Sequence, residues 1–492
     1  QKNKVPFSLH NVGKSFVDAI WALIMPVIVL GGIYGGVFTP TEAAGVAAIY
    51  GFVVGTFVYR DLKLKDLPQL LMNSGKGTAM VMIIVGAASS FGWILTSARI
   101  PDVIAAFMVS LTDSPFGILL VINGTPMSFD GKQTITTLEG QEQVISQGPT
   151  AAIVPIKQLG TNGGGYFGVN SSHPLENPNA FTNMLECWSI LIIPMAMAWA
   201  FGFYVRRRKL AAWIFGVMLF AFTAGILISV PQEMGGNPNI DEMGIAQDLG
   251  SMEGKEIRIG SAASAMWGMV TTVTSNGSVN SMHDSQTPLS GMLQMLNMQI
   301  NCWFGGVGVG WMNYFAFLII AVFISGLMVG RTPEFLGHKV EAREMKIATL
   351  VVLMHPFLIL VGTGISAAVA AANPEIGWLN NPSFHGLSEM LYEYTSAAAN
   401  NGSGFEGLGD NTPFWNIMTG IALIMGRYFP IVGQVAIAGL LASKKYIPES
   451  AGTLKTDTGT FSLMTFAVII IVAALSFFPA QALGPIADYL SF

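Results

Sequence analysis

The sequence predicts an all-α, polytopic transmembrane fold built from repeats of span, pore half-helix, glycine-rich loop and span. Three observations carry that prediction: a scarcity of charge, long uncharged runs, and an Asn-Gly loop that recurs three times. Of 492 residues, 52% are hydrophobic and 11% are Asp, Glu, Lys or Arg, against roughly 25% charged in soluble domains. So few charges cannot cover a soluble globule of this length. Residues 461–486 carry none, and about 20 apolar residues suffice to cross a bilayer. The net charge of -5 argues against a nucleic-acid partner. Cys187 and Cys302 each open an apolar run, suit no disulfide framework or zinc site, and read as packing residues. No cleavable signal peptide is visible. Gln1 in place of Met fits a start that lies upstream.

Candidate spans are residues 20–38, 43–58, 79–96, 184–205, 211–230, 302–330, 347–371, 414–441 and 461–482. Basic clusters orient them. Arg206, Arg207, Arg208 and Lys209 form one, residues 331–346 a second, Lys444 with Lys445 a third. Each follows the span that succeeds an Asn-Gly loop, so the positive-inside rule places the clusters in the cytoplasm and the loops outside.

The loops share one pattern. Residues 149–159 lead into Thr161 to Gly165, within LGTNGGGYFGVNSS. Residues 261–274 lead into Ser275 to Ser278, and residues 388–398 into Asn400 to Ser403. Each lead-in is half a bilayer long at about 1.5 Å per residue, and the loops recur at roughly 115–125 residues, one unit per repeat. Asn123-Gly124 lacks such a lead-in and reads as an ordinary turn. GTNGGG is no phosphate-cradling Walker loop, because no Gly-Lys-Ser/Thr follows.

Non-helical backbone at membrane depth must be buried in protein or line a watery cavity. Glycine allows conformations that bring carbonyls from several segments to one axis. Rings of such carbonyls replace a potassium ion's hydration shell, whereas calcium and magnesium recruit carboxylates. The repeats therefore read as a filter for a large monovalent cation.

LGTNGGGYFGVNSSHPLENP, TVTSNGSVNSMHD, LMVGRTPEFLG and AANNGSGFEGLGDNTPFWNI closely resemble the KdpA family, the potassium-binding A subunits of the Kdp P-type ATPase. The resemblance covers residues 123–492. It implies a potassium-channel-like subunit of the bacterial inner membrane, partnered by the ATP-hydrolysing KdpB, by KdpC and by KdpF. It implies filter residues Thr161, Asn162 and Gly163, then Ser275, Asn276 and Gly277, then Asn400, Asn401 and Gly402. The family often has cysteine where this chain has Asn276. Potassium is the cargo and no organic cofactor is implied. The chain performs no hydrolysis itself, since no aspartyl-phosphate DKTG motif, Walker loop or catalytic residue is found.

The family carries four filter repeats, and this chain shows three. In place of the first stand GGIYGGVFTPTEAAGVAAIYGFVVGTFVYRDLK and TAMVMIIVGAASSFGWILT, which closely resemble the large membrane subunit of TRAP dicarboxylate transporters over residues 5–122. Arg60, Lys63 and Lys65 make their loop cytoplasmic, so a span at 103–122 would put Gly124 on the wrong side. A re-entrant 103–122, broken at Asp113 and Pro115, would repair the topology; otherwise residues 116–123 are a stub. The seam near Asn123 reads as an artificial or misassembled junction rather than a natural fusion. The rival functions are a sodium-driven TRAP-type organic-acid permease fragment and a chimera without transport.

Arg427 stands inside a span, a functional position by default; the alternative is an arginine paired with carbonyls at a kink near Pro430. By resemblance it lies below the filter and stops potassium leaking to the cytoplasm. Gly305, Gly306 and Gly308, in GGVGVG, read either as small residues for helix packing or, by resemblance, as an unwound gate. Glu393, Glu406 and Asp410 read as solvated vestibule charges, His355 as a packed, hydrogen-bonded histidine and Glu42 as a helix-cap residue. Ser89 and Ser90 would mark a sodium-binding helix only in a working TRAP permease.

Overall fold

The computed structural model describes residues 39–59, 123–128, 131–381, 383–448 and 454–491, with scattered positions before residue 73. The chain divides into two compact units, Gln1–Ser110 and Leu111–Phe492. In the first, helix α1 (Pro40–Val53) runs into a wider turn, Val54–Val58, so the span expected at 43–58 is helical throughout. Thr39 caps it. Its N–H and hydroxyl both donate to the Glu42 carboxylate at 2.8 Å, and the Glu42 N–H returns a bond to the hydroxyl. This reciprocal box satisfies N–H groups that a helix start leaves orphaned, and accounts for Glu42. The span expected at 20–38 is described only at scattered positions. The span at 79–96, Ser89, Ser90 and the re-entrant segment at 103–122 lie outside the described residues.

The second unit is mostly, not wholly, helical. A hairpin pairs β1 (Lys132–Thr136) with β2 (Glu142–Ser146), and a smaller one pairs β3 (Glu334–Phe335) with β4 (His338–Lys339). The first is polar and β-branched and the second carries Glu334, His338 and Lys339, so neither suits lipid, and Gly140 and Gly337 supply positive φ in their turns.

Helices α2 (Thr150–Leu159), α3 (Ala180–Tyr204), α4 (Arg208–Met234), α5 (Pro238–Glu242), α6 (Ser261–Val273), α7 (Pro288–Ile300) and α8 (Val309–Val329) follow. After β3–β4 come α9 (Ala342–Ala372), α10 (Phe384–Ala399), α11 (Pro413–Ala442), α12 (Gly459–Gln481) and α13 (Ala487–Leu490). Among the described residues, six segments are long and apolar enough to cross a bilayer, carried by α3, α4, α8, α9, α11 and α12. Five coincide with expected spans. The sixth corrects one: residues 302–308 are not helical, so the span foreseen at 302–330 begins only at Val309. The short α7 precedes that break. It was not foreseen, because its Met- and Gln-rich 13 residues fall short of a span.

The long helices form a wall around the largely buried short helices α6, α7 and α10. Helix α6 is buried almost all round, with Trp267, Thr271 and Thr272 at 0% exposure, and packs on α4 and α7. Helix α10 packs on α9 and α11, where a Cβ on Gly426 would stand 2.2 Å from the Ala398 carbonyl oxygen. Cys187 and Cys302 are buried among hydrophobic neighbours, as foreseen. The basic clusters gather together. Lys444 pairs with Glu344 at 2.8 Å and donates to the Lys339 carbonyl, and Arg207, Lys209 and Lys455 share one cavity.

Lys255 and Glu233 form an ion pair at 3.0 Å with both side chains fully buried; the carboxylate also accepts from the Thr287 N–H and hydroxyl. Removing one partner strands a buried charge. Lys255→Met is therefore expected to cost about 3–5 kcal/mol, measured by denaturant unfolding of the purified chain in detergent. An unchanged midpoint would contradict this role for the pair.

Candidate functional site

The short helices α2, α6 and α10 each end at one of the three Asn-Gly loops, and the loops are built alike. Thr161, Ser275 and Asn400 all take positive φ, between 50° and 56°, a conformation costing roughly 1–2 kcal/mol for a residue with a side chain. One asparagine further on, the backbone N–H turns back five residues: Asn162 to the Lys157 carbonyl, Asn276 to that of Thr271, Asn401 to that of Ser396. Next stand Gly163, Gly277 and Gly402, again at positive φ. In the second and third loops the glycine N–H donates to the Thr271 or Ser396 hydroxyl at 2.9 Å. The following serine N–H caps the asparagine side chain.

The loops also lie against one another. Asn276 Nδ2 donates to the Lys157 carbonyl at 3.1 Å, and Asn401 Nδ2 donates to the Thr271 carbonyl at 3.0 Å. Each asparagine thus reaches the same carbonyl of the preceding unit. Glycine is required where they meet. A Cβ on Gly163 would stand 2.3 Å from the Asn276 oxygen, and one on Gly277 would stand 1.9 Å from the Asn401 oxygen. The series stops at its ends. A Cβ on Gly402 would meet nothing within 4 Å, and the exposed Asn162 amide makes no hydrogen bond among the described residues. Among the described residues the three loops thus stand in series, each against the next.

Beneath the loops lies a cavity of about 20 Å³ lined by Thr161, Asn162, Ser275, Asn301, Gly305, Gly306, Asn400 and Arg427, among others. That is room for a water-sized occupant. Gly305, Gly306 and Gly308 all take positive φ in the break before α8, so they are unwound backbone rather than a helix-packing stripe. The break is tied to the loops: the Gly305 N–H donates to the Val273 carbonyl at 3.0 Å, and the Val307 N–H to the Thr161 hydroxyl at 2.8 Å. Arg427 donates from Nε to Asn400 Oδ1 at 2.9 Å. Its partner is therefore a side chain of the third loop, not a carbonyl freed by a kink, and α11 runs on through Pro430. The C-terminal ends of three helices converge here, each carrying partial negative charge.

A polar line leaves the cavity. Ser275 Oγ donates to Asn301 Oδ1, Asn313 Nδ2 to the Asn301 carbonyl, and Gln434 Nε2 to Asn313 Oδ1, at 2.8–3.1 Å. His355 is hydrogen-bonded to the Met298 carbonyl at 2.9 Å, as foreseen. Of the three carboxylates expected to be solvated, Asp410 and Glu406 are exposed, whereas Glu393 is half-buried. Glu406 also accepts the Asp284 N–H at 3.0 Å.

Several supports escaped sequence reading. Buried Lys157 in α2 pairs with Glu176 and donates to Asn170 and Ser171, holding the chain that follows the first loop. Arg258 donates to the Ser172 and Asn177 carbonyls and so ties the lead-in to the second loop to the chain after the first loop. His283 bonds Tyr392, which bonds Ser403 beside the third loop. Burial, reinforced by Lys255, pushes the His283 ring down to about 3, so it stays neutral at physiological pH. A lysine inside a largely apolar half-helix was the one visible signal; Arg258 and His283 meet partners 80 residues or more away.

The cross-loop amide leads to a direct expectation. Asn276→Ala removes the amide that binds the buried carbonyls of Lys157 and Gln158, at a cost of about 1–3 kcal/mol. Asn162→Ala, which lacks such a bond, should cost less. Comparative unfolding in detergent tests the order, and equal losses would contradict it.

Two family models match the chain. That of the potassium-transporting ATPase A subunit, KdpA, covers residues 114–490; that of the tripartite ATP-independent periplasmic transporter DctM component covers residues 1–128. The potassium-transporting ATPase potassium-binding subunits of Phocaeicola vulgatus and Bacteroides thetaiotaomicron are 75% and 74% identical over 380 residues, 76% of this chain and 67% of each relative. That of Geobacillus kaustophilus is 48% identical over 374 residues, 76% of this chain and 66% of the relative. The chain spans about two-thirds of the length of these relatives. With three matching loops and a multi-pass helical wall, it belongs to the KdpA family of potassium-transporting ATPase A subunits.

Proposed function

We propose that this chain is the potassium-binding and translocating subunit of an ATP-driven potassium importer, and that it selects potassium on backbone carbonyls of the three loops. The observation that carries the reading is the contiguity of the loops, with Gly163 against Asn276 and Gly277 against Asn401. Supporting it are the repeated positive φ at Thr161, Ser275 and Asn400 and the negative ends of three half-helices facing the same place. In channel-like terms, potassium sheds water outside and is held by oxygens of residues 161–163, 275–277 and 400–402. It then enters the cavity above Gly305, Gly306 and Gly308, which serve as an unwound gate. Arg427, about 20 Å into α11 by helical rise, opposes straight descent with its charge. The polar line through Asn301, Asn313 and Gln434 offers the alternative, toward an ATP-hydrolysing KdpB in a complex with KdpC and KdpF.

The two ends of the series, Asn162 and Gly402, fit a fourth repeat, which none of the described residues supplies. We take residues 1–122 to be a DctM-like transmembrane fragment, joined near Asn123 to a KdpA-like pore region of residues 123–492. The match of 1–128 to the DctM component keeps a TRAP-type permease fragment, or a chimera without transport, as the second reading. Sodium uptake that depends on a carboxylate substrate would favour the permease.

Gly163→Asp inserts bulk and charge where even a Cβ has 2.3 Å. It is expected to lower potassium-over-sodium discrimination by tenfold or more, about 1.4 kcal/mol, in ion competition on the assembled ATPase. Wild-type discrimination in that variant would refute the assignment. Arg427→Ala is expected to raise passive potassium leak in proteoliposomes and to loosen potassium-stimulated ATP hydrolysis. Tight coupling without leak would remove Arg427 from the mechanism.

A further inference from the structure

Away from the loops' shared cavity, Asp284, His385 and Glu389 each offer one ligand atom, and the three atoms lie within 4.8 Å of one another. They come from the chain after the second loop and from the first turns of α10, so the group sits where two repeats meet. The surrounding bonds sort the atoms. Asn381 donates from its side chain to Asp284 Oδ2 at 3.2 Å and to Glu389 Oε1 at 3.0 Å, and its backbone N–H also donates to Glu389 Oε1. One oxygen of each carboxylate is thereby held in place. The other Asp284 oxygen, Oδ1, faces His385 Nε2 at 2.9 Å. Glu389 Oε2 belongs to a side chain at 0% exposure and has no hydrogen-bond partner. An unpartnered carboxylate oxygen is costly to bury, and a cation is its natural complement.

The far side of the ring is prepared as well. His385 Nδ1 lies 2.8 Å from Asp488 Oδ2. A carboxylate on the second ring nitrogen is the arrangement that orients metal-bound histidines and fixes their tautomer.

We propose that Asp284, His385 and Glu389 form a binding site for a divalent transition-metal ion of the zinc class, with Asp488 and Asn381 as the residues that orient it. Zinc accepts histidine nitrogen and carboxylate oxygen at about 2.0–2.2 Å, and three protein ligands leave a fourth place for water. Tetrahedral bonds of that length separate ligand atoms by a little over 3 Å, so the 2.9 Å between Nε2 and Oδ1 must open by only a few tenths. Calcium, which wants about six to eight oxygens, is a poor match to one nitrogen and two carboxylates. In the metal-free protein the ring donates a proton to each flanking carboxylate. The metal displaces the Nε2 proton to solvent, while Nδ1–H keeps its bond to Asp488. Bound metal would pin α10 and the C-terminal α13 to the chain after the second loop, bracing the outer mouth without touching potassium.

The test uses the full chain in detergent, stripped with chelator and titrated with Zn²⁺ against a competing chelator, with elemental analysis for stoichiometry. Co²⁺ serves as a spectroscopic probe. One Zn²⁺ per chain is expected, together with visible absorption of tetrahedral Co²⁺ that Zn²⁺ abolishes. Glu389→Gln keeps the oxygen that Asn381 holds and is expected to weaken Zn²⁺ at least tenfold. Asp488→Asn is expected to weaken it about 10–100-fold. Metal-free thermal unfolding of both variants reports whether they are folded. No retained Zn²⁺ in the wild type would overturn the proposal, leaving His385 an imidazolium clamped between carboxylates. So would equal affinity in a folded Glu389→Gln variant.

Discussion

An asparagine side-chain amide laid against the carbonyl end of the neighbouring half-helix is the interaction on which the rest of this structure depends. Half-helices that stop inside the protein leave carbonyls without intrahelical partners, and buried carbonyls need a partner from elsewhere in the chain. The chain answers by giving each unit the means to satisfy the one before it, Asn276 for α2 and Asn401 for α6. The same contact sets how near the loops approach, and that nearness leaves no room for a Cβ at Gly163 or Gly277. Asparagine and glycine are thus adjacent in sequence for one reason: one reaches across and the other makes way.

Several properties follow from this arrangement. Because each unit leans on its predecessor, the loops form an ordered series rather than three independent turns. Among the described residues α10 meets no further asparagine, and the exposed amide of Asn162 stands unbonded at the other end. Beneath the series, the break before α8 is held by the loops themselves, through Thr161 and Val273. A change in the Asn-Gly loops is therefore felt in the break. Buried ion pairs beside the loops, Lys157 with Glu176 and Lys255 with Glu233, keep the connecting chain in place.

Much of this was legible in the sequence because it rests on local rules. Uncharged runs marked five of the six long helices, glycine after asparagine marked the loops, and an arginine within a span marked Arg427. What stayed hidden depends on distance along the chain or on length. Asn276 meets a carbonyl of Lys157, Arg258 meets Ser172, and His283 meets Tyr392, and no spacing rule announces such pairs. Helix α7 was missed because it is short and polar on one side, and the apolar run after it hid the break at residues 302–308. The two hairpins were missed because a search for spans passes over polar strands.

The central claim is that main-chain oxygens of separate units jointly hold one dehydrated potassium ion. Anomalous scattering from crystals of the assembled complex grown with rubidium in place of potassium tests it most directly. The account predicts a rubidium peak encircled by carbonyl oxygens of residues 161–163, 275–277 and 400–402. Well-ordered loops without a peak between them, or a peak held by carboxylates elsewhere, would contradict it.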